Sequence, residues 1–525
     1  MLEIGIRLAD QVVIGIGILI LLAVGVICSR RTKTAEGYFF AGRSMPGWVV
    51  GFSLMATIVS SMTFLAIPSF AFSGGNWKNC LAHFTYIPAI LVAIFLFIPI
   101  YRRTRIDSAY EYLEQRFGLW ARLYAAATFV VFHFFRTGVV LYAVSLAIQT
   151  ILQLNDDALT TVIIVGGIVV SAYTIVGGLQ AVIWTDVIQG VALIGGGLIC
   201  FPVILSQIDG GMSELVSVAY ADGKFDLGST KWTLTEKTVW AYMLAEFVLF
   251  LQLLGTDQTN VQRYCAAASD KAAKAAAVIG CCLAVPTWTL FLFLGTCLYV
   301  YVKMVPGTGL EGLEPDQIFP RFILTQLPAG LAGFVITGLL ASAMSTLDSS
   351  INATAATVTN DFYKRLWVKE RDARHYATVG KLVSLAFSVV MVAMACTIHQ
   401  FRASEALDNV QRMLLSIVGG GLLGLFLIGF VTLRVGSRPA IIATVMTALF
   451  VGGWLSMDTP IAHQIFPTLS KSMPDKFWVS TFANLLLVVI AYGTSIFWVR
   501  RRTGKELAGL TIWGGTGESD EGEGN

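Results

Sequence analysis

Apolar runs about as long as a bilayer is thick recur from one end of this chain to the other, and no other feature restricts its fold as much. Thirteen can be marked, at about 10–28, 46–74, 79–101, 119–153, 159–177, 181–206, 236–258, 272–302, 328–362, 375–399, 408–432, 438–457 and 477–499. A helix rises about 1.5 Å per residue, so about 20 residues carry it across the hydrocarbon layer. Lipid offers no partner to a backbone N–H or C=O, so runs of this kind must be helices. With 56% apolar and only 13% charged residues, a soluble globule is excluded. The expected class is an all-α integral membrane protein with 13 transmembrane helices. The first run has no basic segment before it and no small-residue cleavage site after it, so it reads as a span rather than a signal peptide.

Charge sets the orientation. Arg30, Arg31, Lys33 and Arg43 follow span one, and Arg102, Arg103, Arg105, Arg116 and Arg122 follow span three. Arg263, Lys271 and Lys274 follow span seven; Lys364, Arg365, Lys369, Arg371 and Arg374 follow span nine; Arg500, Arg501, Arg502 and Lys505 follow the last. All are odd-numbered exits, so the positive-inside rule gives an external N-terminus and a cytoplasmic C-terminus, with the plasma (inner) membrane as location. The eight cysteines have no C-x-x-C spacing and read as small core residues. No nucleotide-binding loop, metal-ligand cluster or nucleophile–base motif occurs, so the chain is expected to be no enzyme and to bind no nucleic acid.

Function must then lie in the polar residues inside the spans. In LLASAMSTLDSSINATAATVTND (339–361), Ser342, Ser345, Thr346 and Ser349 recur at i, i+3, i+4 and i+7, which puts four hydroxyls on one helical face flanked by Asp348 and Asn352. That face either bridges to neighbouring helices, as small polar residues do in membranes, or offers weakly charged oxygens to a monovalent cation. Span two, SLMATIVSSMTFLAIPS, crowds Ser, Thr and Met at its midpoint with Pro68 beyond. Either the proline only kinks the helix, or the helix unwinds and turns carbonyls near Ala56 and Val59 toward an ion. Span three contains His83, Thr85 and Tyr86, and span four His133 and Arg136. Arg136 is close to mid-membrane and must pair with a buried acid such as Glu246 or meet an anionic substrate; the two histidines read first as packing residues. Asp186 follows a Gly-Gly turn and is either an interfacial cap or a cation ligand.

Spans two and seven are both interrupted at their midpoints, the latter near Gln252 and Gly255, and spans four and nine are both about 35 residues long. Each pair is five spans apart. An odd interval makes a repeat inverted in the membrane, so spans 2–6 and 7–11 would be antiparallel halves with solute and ions at their interface. This topology puts Thr57–Thr63 and Gln252 at comparable depth, with Ser345–Ser349 closer to Asp186.

The segments AGRSMPGWVVGFSLMATIVSSMTFLAIPSFAFSGGN, DSAYEYLEQRFG, YTIVGGLQAVIWTDVIQG, GTDQTNVQRYCAAASDKAAKAA and ASAMSTLDSSINATAATVTNDFYKR resemble the sodium:solute symporter family, whose members carry sugars, proline, monocarboxylates or sialic acid with sodium. The resemblance spans about residues 5–500 and implies a LeuT-like five-plus-five inverted-repeat core with one helix before it and two after. It implies a main Na⁺ site made by the carbonyls of Ala56 and Val59 with Ser342, Ser345 and Thr346. Some members have a second Na⁺ site at positions matching Asp186, Ser345, Asp348 and Ser349, although a hydroxyl usually stands where this chain has Asp348. Ser60, Thr63 and Arg136 match substrate contacts of the sialic acid carriers, and His83, Tyr86 and Gln252 complete the candidate set. Sugar carriers of this type have a lysine in span eight, where this chain has Val285, Pro286 and Thr287. A planar guanidinium suits a carboxylate better than a neutral sugar. The expectation is a sodium-coupled symporter for a small organic acid such as sialic acid, with the lipid bilayer as its setting. A sodium/sugar symporter and a transporter-like membrane sensor are the alternatives. The corresponding divisions are 1–45, first helix and approach; 46–206, first repeat; 207–235, external loop; 236–432, second repeat; 433–505, accessory helices; and 506–525, an acidic disordered tail.

Overall fold

The computed structural model describes residues 7–74, 77–152, 154–236, 238–400, 420–457, 474–498 and 506–513, and among these every regular element is a helix. The principal ones are α1 (Leu8–Cys28), α2 (Gly47–Ile58), α3 (Ser61–Gly74), α4 (Lys78–Thr104), α5 (Leu119–Leu152) and α6 (Asp156–Leu205). They continue as α7 (Val239–Thr256), α8 (Gln258–Ala266), α9 (Asp270–Met304), α10 (Leu331–Thr357), α11 (Ala373–Gln400), α12 (Leu422–Val431), α13 (Ser437–Ser456) and α14 (Val479–Trp498). Among the described residues, ten helices are long and apolar enough to cross a membrane, or eleven if the bent pair α2–α3 is one span. The expected span at 408–432 is described only as α12; residues 408–419 lie outside the described residues.

Side-chain caps start two of these helices. Ser269 accepts the Ala272 N–H at 3.1 Å to open α9, and Asp257 accepts the Thr259 N–H at 2.8 Å to open α8. The 50 residues of α6 would be about 75 Å long if straight, more than twice a bilayer core. They are two arms meeting at Gly178, whose φ of 55° and ψ of −159° leave the helix. A Cβ there would lie 2.7 Å from the Tyr38 carbonyl oxygen, so only glycine fits the turn.

The centre of the bundle is α10. Every residue from Ala341 to Thr357 is buried, which suits a helix enclosed on all sides. It packs along α6, α5 and α1, and the approach to α6 is close enough that a Cβ on Gly338 would stand 2.8 Å from the Ala192 carbonyl oxygen. Small residues let helices in lipid approach and gain van der Waals contact, and Gly51 of α2 against α9 uses the same device.

A network of ion pairs closes the bundle at its basic end. Glu114, on the short helix Ala109–Phe117, accepts from Arg122 of α5 and Arg365 beyond α10, each at 2.8 Å. Arg122 also donates to the buried Asp361 at 2.7 Å. Burial alone would raise the Glu114 carboxyl, but the hydrogen bonds from Arg365 and Arg122 outweigh it and hold it below its usual range. The disorder expected from Glu506 onward does not extend to 506–513. Tyr112 donates to the Leu510 carbonyl at 2.9 Å and the Ile512 N–H to that of Phe430 at 3.0 Å, while the side chains of Leu507 and Leu510 pack against the protein.

Candidate functional site

The interruption in the second apolar run is a true break. The last helical bond of α2 runs from the Val59 N–H to the Met55 carbonyl, Val59 turns extended (φ −82°, ψ 102°), and α3 leaves at 54° to α2. A helix end leaves its last carbonyls without partners in the ladder, and here those of Ala56 and Val59 end inside the protein instead of in water. Against the break stands the hydroxyl face of α10. Ser345 Oγ lies 3.0 Å from the Ala56 carbonyl oxygen and 3.0 Å from that of Ser342; Thr346 Oγ1 is 3.4 Å from the latter. Ser342, Ser345 and Thr346 are each at most 2% exposed. Four of the five residues expected at the main ion site are thus joined by contacts of 3.0–3.4 Å, and Val59 closes the same turn. Neutral oxygens from two helices, with no carboxylate, suit a monovalent cation. Among the described residues, no group of three His, Cys, Asp or Glu side chains is arranged for a transition metal.

One turn further along α10 the sequence reading missed a residue. Arg263, grouped above with the basic residues after span seven, is fully buried in α8. Its guanidinium donates to Ser53 Oγ of α2 at 2.6 Å, the Thr259 carbonyl at 2.8 Å, Asp186 Oδ2 of α6 at 3.0 Å and Ser349 Oγ of α10 at 2.6 Å. Asp186 and Ser349, two of the residues expected at a second ion site, are therefore brought together by a resident cation. Asp348 makes no hydrogen bond to the guanidinium among the described residues, accepting instead from Tyr173 Oη at 2.7 Å and from Ser349 Oγ at 3.2 Å. Asp186 Oδ1 has no hydrogen-bond partner among the described residues. A signal for Arg263 existed: two carboxylates inside apolar runs require positive charge nearby.

The expected solute contacts divide into two groups. His83 and Tyr86 of α4 join an aromatic cluster with Trp288 of α9 and Phe250 of α7: His83 stacks on Trp288 at 4.7 Å and Tyr86 meets Phe250 edge-on at 4.9 Å. The Tyr86 hydroxyl is buried without a partner among the described residues. Ser60 sits in the break, where its carbonyl accepts the Thr63 N–H at 2.9 Å, and Thr63 is buried. Gln252 points instead to Ser480 of α14, accepting at 3.4 Å. Arg136 lies with its guanidinium 5.8 Å from the Phe132 ring centre, and the charge that acts on it is Asp257, not Glu246. Asp257 is the extended residue (φ −84°, ψ 122°) between α7 and α8, so the interruption near Gln252 and Gly255 falls there. Among the described residues no hydrogen bond or ring contact joins Arg136 to His83, Tyr86 or Gln252.

Comparison with known proteins adds the following. The sequence model of the sodium:solute symporter family matches residues 38–447. The chain is similar to the sodium/sialic acid symporter SiaT of Proteus mirabilis, 32% identical over 82% of this chain and 86% of that protein. It is also similar to the sodium/sialic acid symporter NanT of Aliivibrio fischeri, 30% identical over 90% of each. Its fold resembles a solved substrate-bound, outward-open sodium-coupled sialic acid symporter, with a TM-score of 0.84 and 28% identity, covering 94% of this chain and 99% of that one.

Proposed function

Since the chain belongs to the sodium:solute symporter family, we propose that it is a sodium-coupled symporter that imports a small carboxylate-bearing solute, sialic acid first among candidates, by alternating access. The observation that carries this reading is the 3.0 Å contact between Ser345 Oγ and the Ala56 carbonyl oxygen across the break between α2 and α3. A Na⁺ ion held there, by the carbonyls of Ala56 and Val59 and the hydroxyls of Ser342, Ser345 and Thr346, would strengthen a junction that one hydroxyl–carbonyl hydrogen bond makes at the break. Ion binding favours the arrangement in which they are joined, and loss of the ion frees α2–α3 to move against α10. By linkage, solute and ion must strengthen each other's binding. Transport needs no covalent step, in keeping with a family of carriers and not of enzymes.

The remaining assignments belong to the same proposal. Counting the two arms of α6 as separate crossings, the bent pair α2–α3 as one, α7–α8 as one and α12 as part of another gives 13 crossings. The chain then has one helix before a five-plus-five inverted repeat and two after, with the N-terminus outside and the C-terminus in the cytoplasm of a plasma-membrane carrier. The aromatic cluster around Trp288, with Ser60, Thr63 and Arg136, would take the solute, the guanidinium of Arg136 gripping its carboxylate. A second Na⁺ at Asp186, Asp348, Ser345 and Ser349 would require Arg263 to withdraw, since its guanidinium bonds both Asp186 and Ser349.

Proteoliposome uptake of radiolabelled sialic acid tests the reading, with inward Na⁺ or choline gradients at fixed pH. The wild type should accumulate solute only with Na⁺, and S345A/T346A should not; sodium dependence unchanged in that variant would falsify the site assignment.

A further inference from the structure

We propose that His133 and Asp257 hold one proton between them, and that this pair is a second cation position, related to the sodium position by the inverted repeat. His133 is fully buried in α5, its ring flanked by Phe129 at 4.1 Å and Phe132 at 5.2 Å, and Asp257 is 8% exposed. His133 Nε2 lies 3.5 Å from Asp257 Oδ2, an ion-pair distance, and has no hydrogen-bond partner among the described residues, while His133 Nδ1 is 3.0 Å from Ser350 Oγ of α10. The other oxygen of Asp257 accepts from the Thr259 N–H and hydroxyl.

The hydrogens can be counted. Ser350 has one, and it is directed to the Thr346 carbonyl oxygen at 2.7 Å, so Ser350 Oγ must accept from His133 Nδ1–H. A neutral imidazole has no second N–H. Its Nε2 lone pair would then face a carboxylate inside the protein, acceptor against acceptor. If Ser350 turned its hydrogen to Nδ1 instead, Ser350 Oγ and the Thr346 oxygen would be 2.7 Å apart with no proton between them, a spacing that oxygens adopt when hydrogen-bonded. One added proton on the His133–Asp257 pair turns that opposition into an ion pair. The charged and titratable groups around it are Arg136 on the same helix, Asp257 at the break, Tyr264 of α8, and Tyr110 of the short helix Ala109–Phe117. Arg136 adds a positive charge, so an anionic solute held there would strengthen the proton's hold, and the proton the solute's.

Position gives this proton a role. This step rests on the inverted repeat proposed above. In that repeat the break between α2 and α3 maps onto the break between α7 and α8, and α10 maps onto α5. The sodium position joins the first break to α10. Its mate must join the second break to α5, which is where Asp257 meets His133. Ser350 extends the link to α10 four residues beyond Thr346, so the two cations fasten opposite sides of one interface.

The test follows sodium binding by tryptophan fluorescence in purified full-length protein, titrated with NaCl against choline chloride between about pH 5 and 8, where a histidine-centred proton exchanges. Both cations fasten the same arrangement, so sodium affinity should fall as pH rises, by about 5- to 150-fold in total if the coupling is of ordinary size. H133N, whose amide nitrogen can still donate toward Ser350, and D257N should each bind sodium with an affinity that no longer varies with pH. A pH-independent affinity in the wild type, or the same slope in both variants, would overturn the proposal. If sodium has no effect on the wild type, the sodium reading fails, and the proton is judged from the melting temperature without sodium. A proton held more tightly in the folded pair than by a free histidine makes the wild type lose stability as pH rises through the pair's titration. H133N and D257N should lack that loss, and superimposable curves for all three would again overturn the proposal.

Discussion

Replacing Arg263 with glutamine is the most informative single perturbation of the core. The guanidinium is 0% exposed and makes four hydrogen bonds, two to hydroxyls, one to a carbonyl and one to Asp186. Without it Asp186, also 0% exposed, keeps only the Ser53 hydroxyl as a donor among the described residues. Removing one partner of a buried ion pair leaves an uncompensated charge, at a cost of about 3–5 kcal/mol. Much of that cost belongs to the stranded carboxylate, so neutralising it should recover much of the loss. We expect R263Q and D186N each to lose about 3–5 kcal/mol, and the double variant D186N/R263Q to fall short of the sum of the two by about 2–3 kcal/mol, near the upper end for residues in contact. SDS-titrated unfolding in mixed micelles, followed by tryptophan fluorescence, measures all four corners of the cycle. A loss in R263Q of less than about 0.5 kcal/mol, the scale of a surface substitution, would refute the reasoning, as would strict additivity in the double variant.

Other outcomes follow from the same geometry. R136K should weaken binding of a carboxylate solute by about 1.5–3 kcal/mol, roughly 10- to 150-fold, because an ammonium cannot make the two-pronged contact; equilibrium binding of sialic acid checks it, and unchanged affinity rejects the carboxylate grip. The Glu114 carboxyl is held below its usual range, so its contribution to stability is full above about pH 4.3, the ordinary glutamate value. That contribution is lost as pH falls through the lower folded value. Acid melting curves of E114Q should therefore converge with wild type at the lowest pH and diverge above it. G338V should destabilise by at least about 1–3 kcal/mol, since its Cβ would meet the Ala192 carbonyl oxygen at 2.8 Å and backbone cannot give way, whereas G452A on α13, with nothing within 4 Å of the added carbon, should lose nothing in the same melting assay.

Much of this was legible in the sequence, for physical reasons that also explain what was not. Length and hydropathy mark spans because lipid enforces both. The breaks could be located because each has a local cause: Ser and Thr before Pro68 in one case, Gly177–Gly178 in another, and in the third the interruption expected near Gln252 and Gly255, which the structure sets at Asp257. The hydroxyl face of α10 followed from helical periodicity, and the structure sets Ser345 against Ala56, a pairing that the family resemblance and not the spacing implied. The burial of Arg263 was not legible in the periodicity, although the two carboxylates inside apolar runs called for a positive charge. Arg263 lies among Thr259, Gln262, Lys271 and Lys274 in a segment that reads as a polar connection, yet every residue of α8 is buried. Periodicity detects apolar faces turned toward a core, and it is blind to a polar helix whose partners are other polar groups from distant segments. Arg136 was misdirected toward Glu246 for a related reason: sequence gives depth in the membrane, but not which side of a helix meets which neighbour.

The buried charges also bear on why guanidinium, and not ammonium, stands at position 263. Ser53, Asp186 and Ser349 come from α2, α6 and α10, three helices that meet around one side chain. A planar fork with donors at fixed angles can reach all three acceptors and the Thr259 carbonyl without changing rotamer, whereas an ammonium offers three donors from a single point. The fork ties α2 to α6 and α10 about one helical turn from the place where Ser345 touches Ala56, since Ser349 is four residues beyond Ser345. The two ties differ in kind. The arginine is covalently part of α8 and cannot diffuse away, while the contact at Ser345 is a single hydroxyl that an ion can strengthen and then abandon. A carrier that alternates between two arrangements needs such a difference. If both links were permanent the interface would not open, and if both were exchangeable the buried Asp186 carboxylate would be left without its partner at each cycle, at a cost of several kcal/mol. R263K should accordingly fold, because the charge remains, and yet lose part of the tie: we expect SDS-titrated stability between those of wild type and R263Q, and stability equal to wild type would show that charge alone holds the three helices.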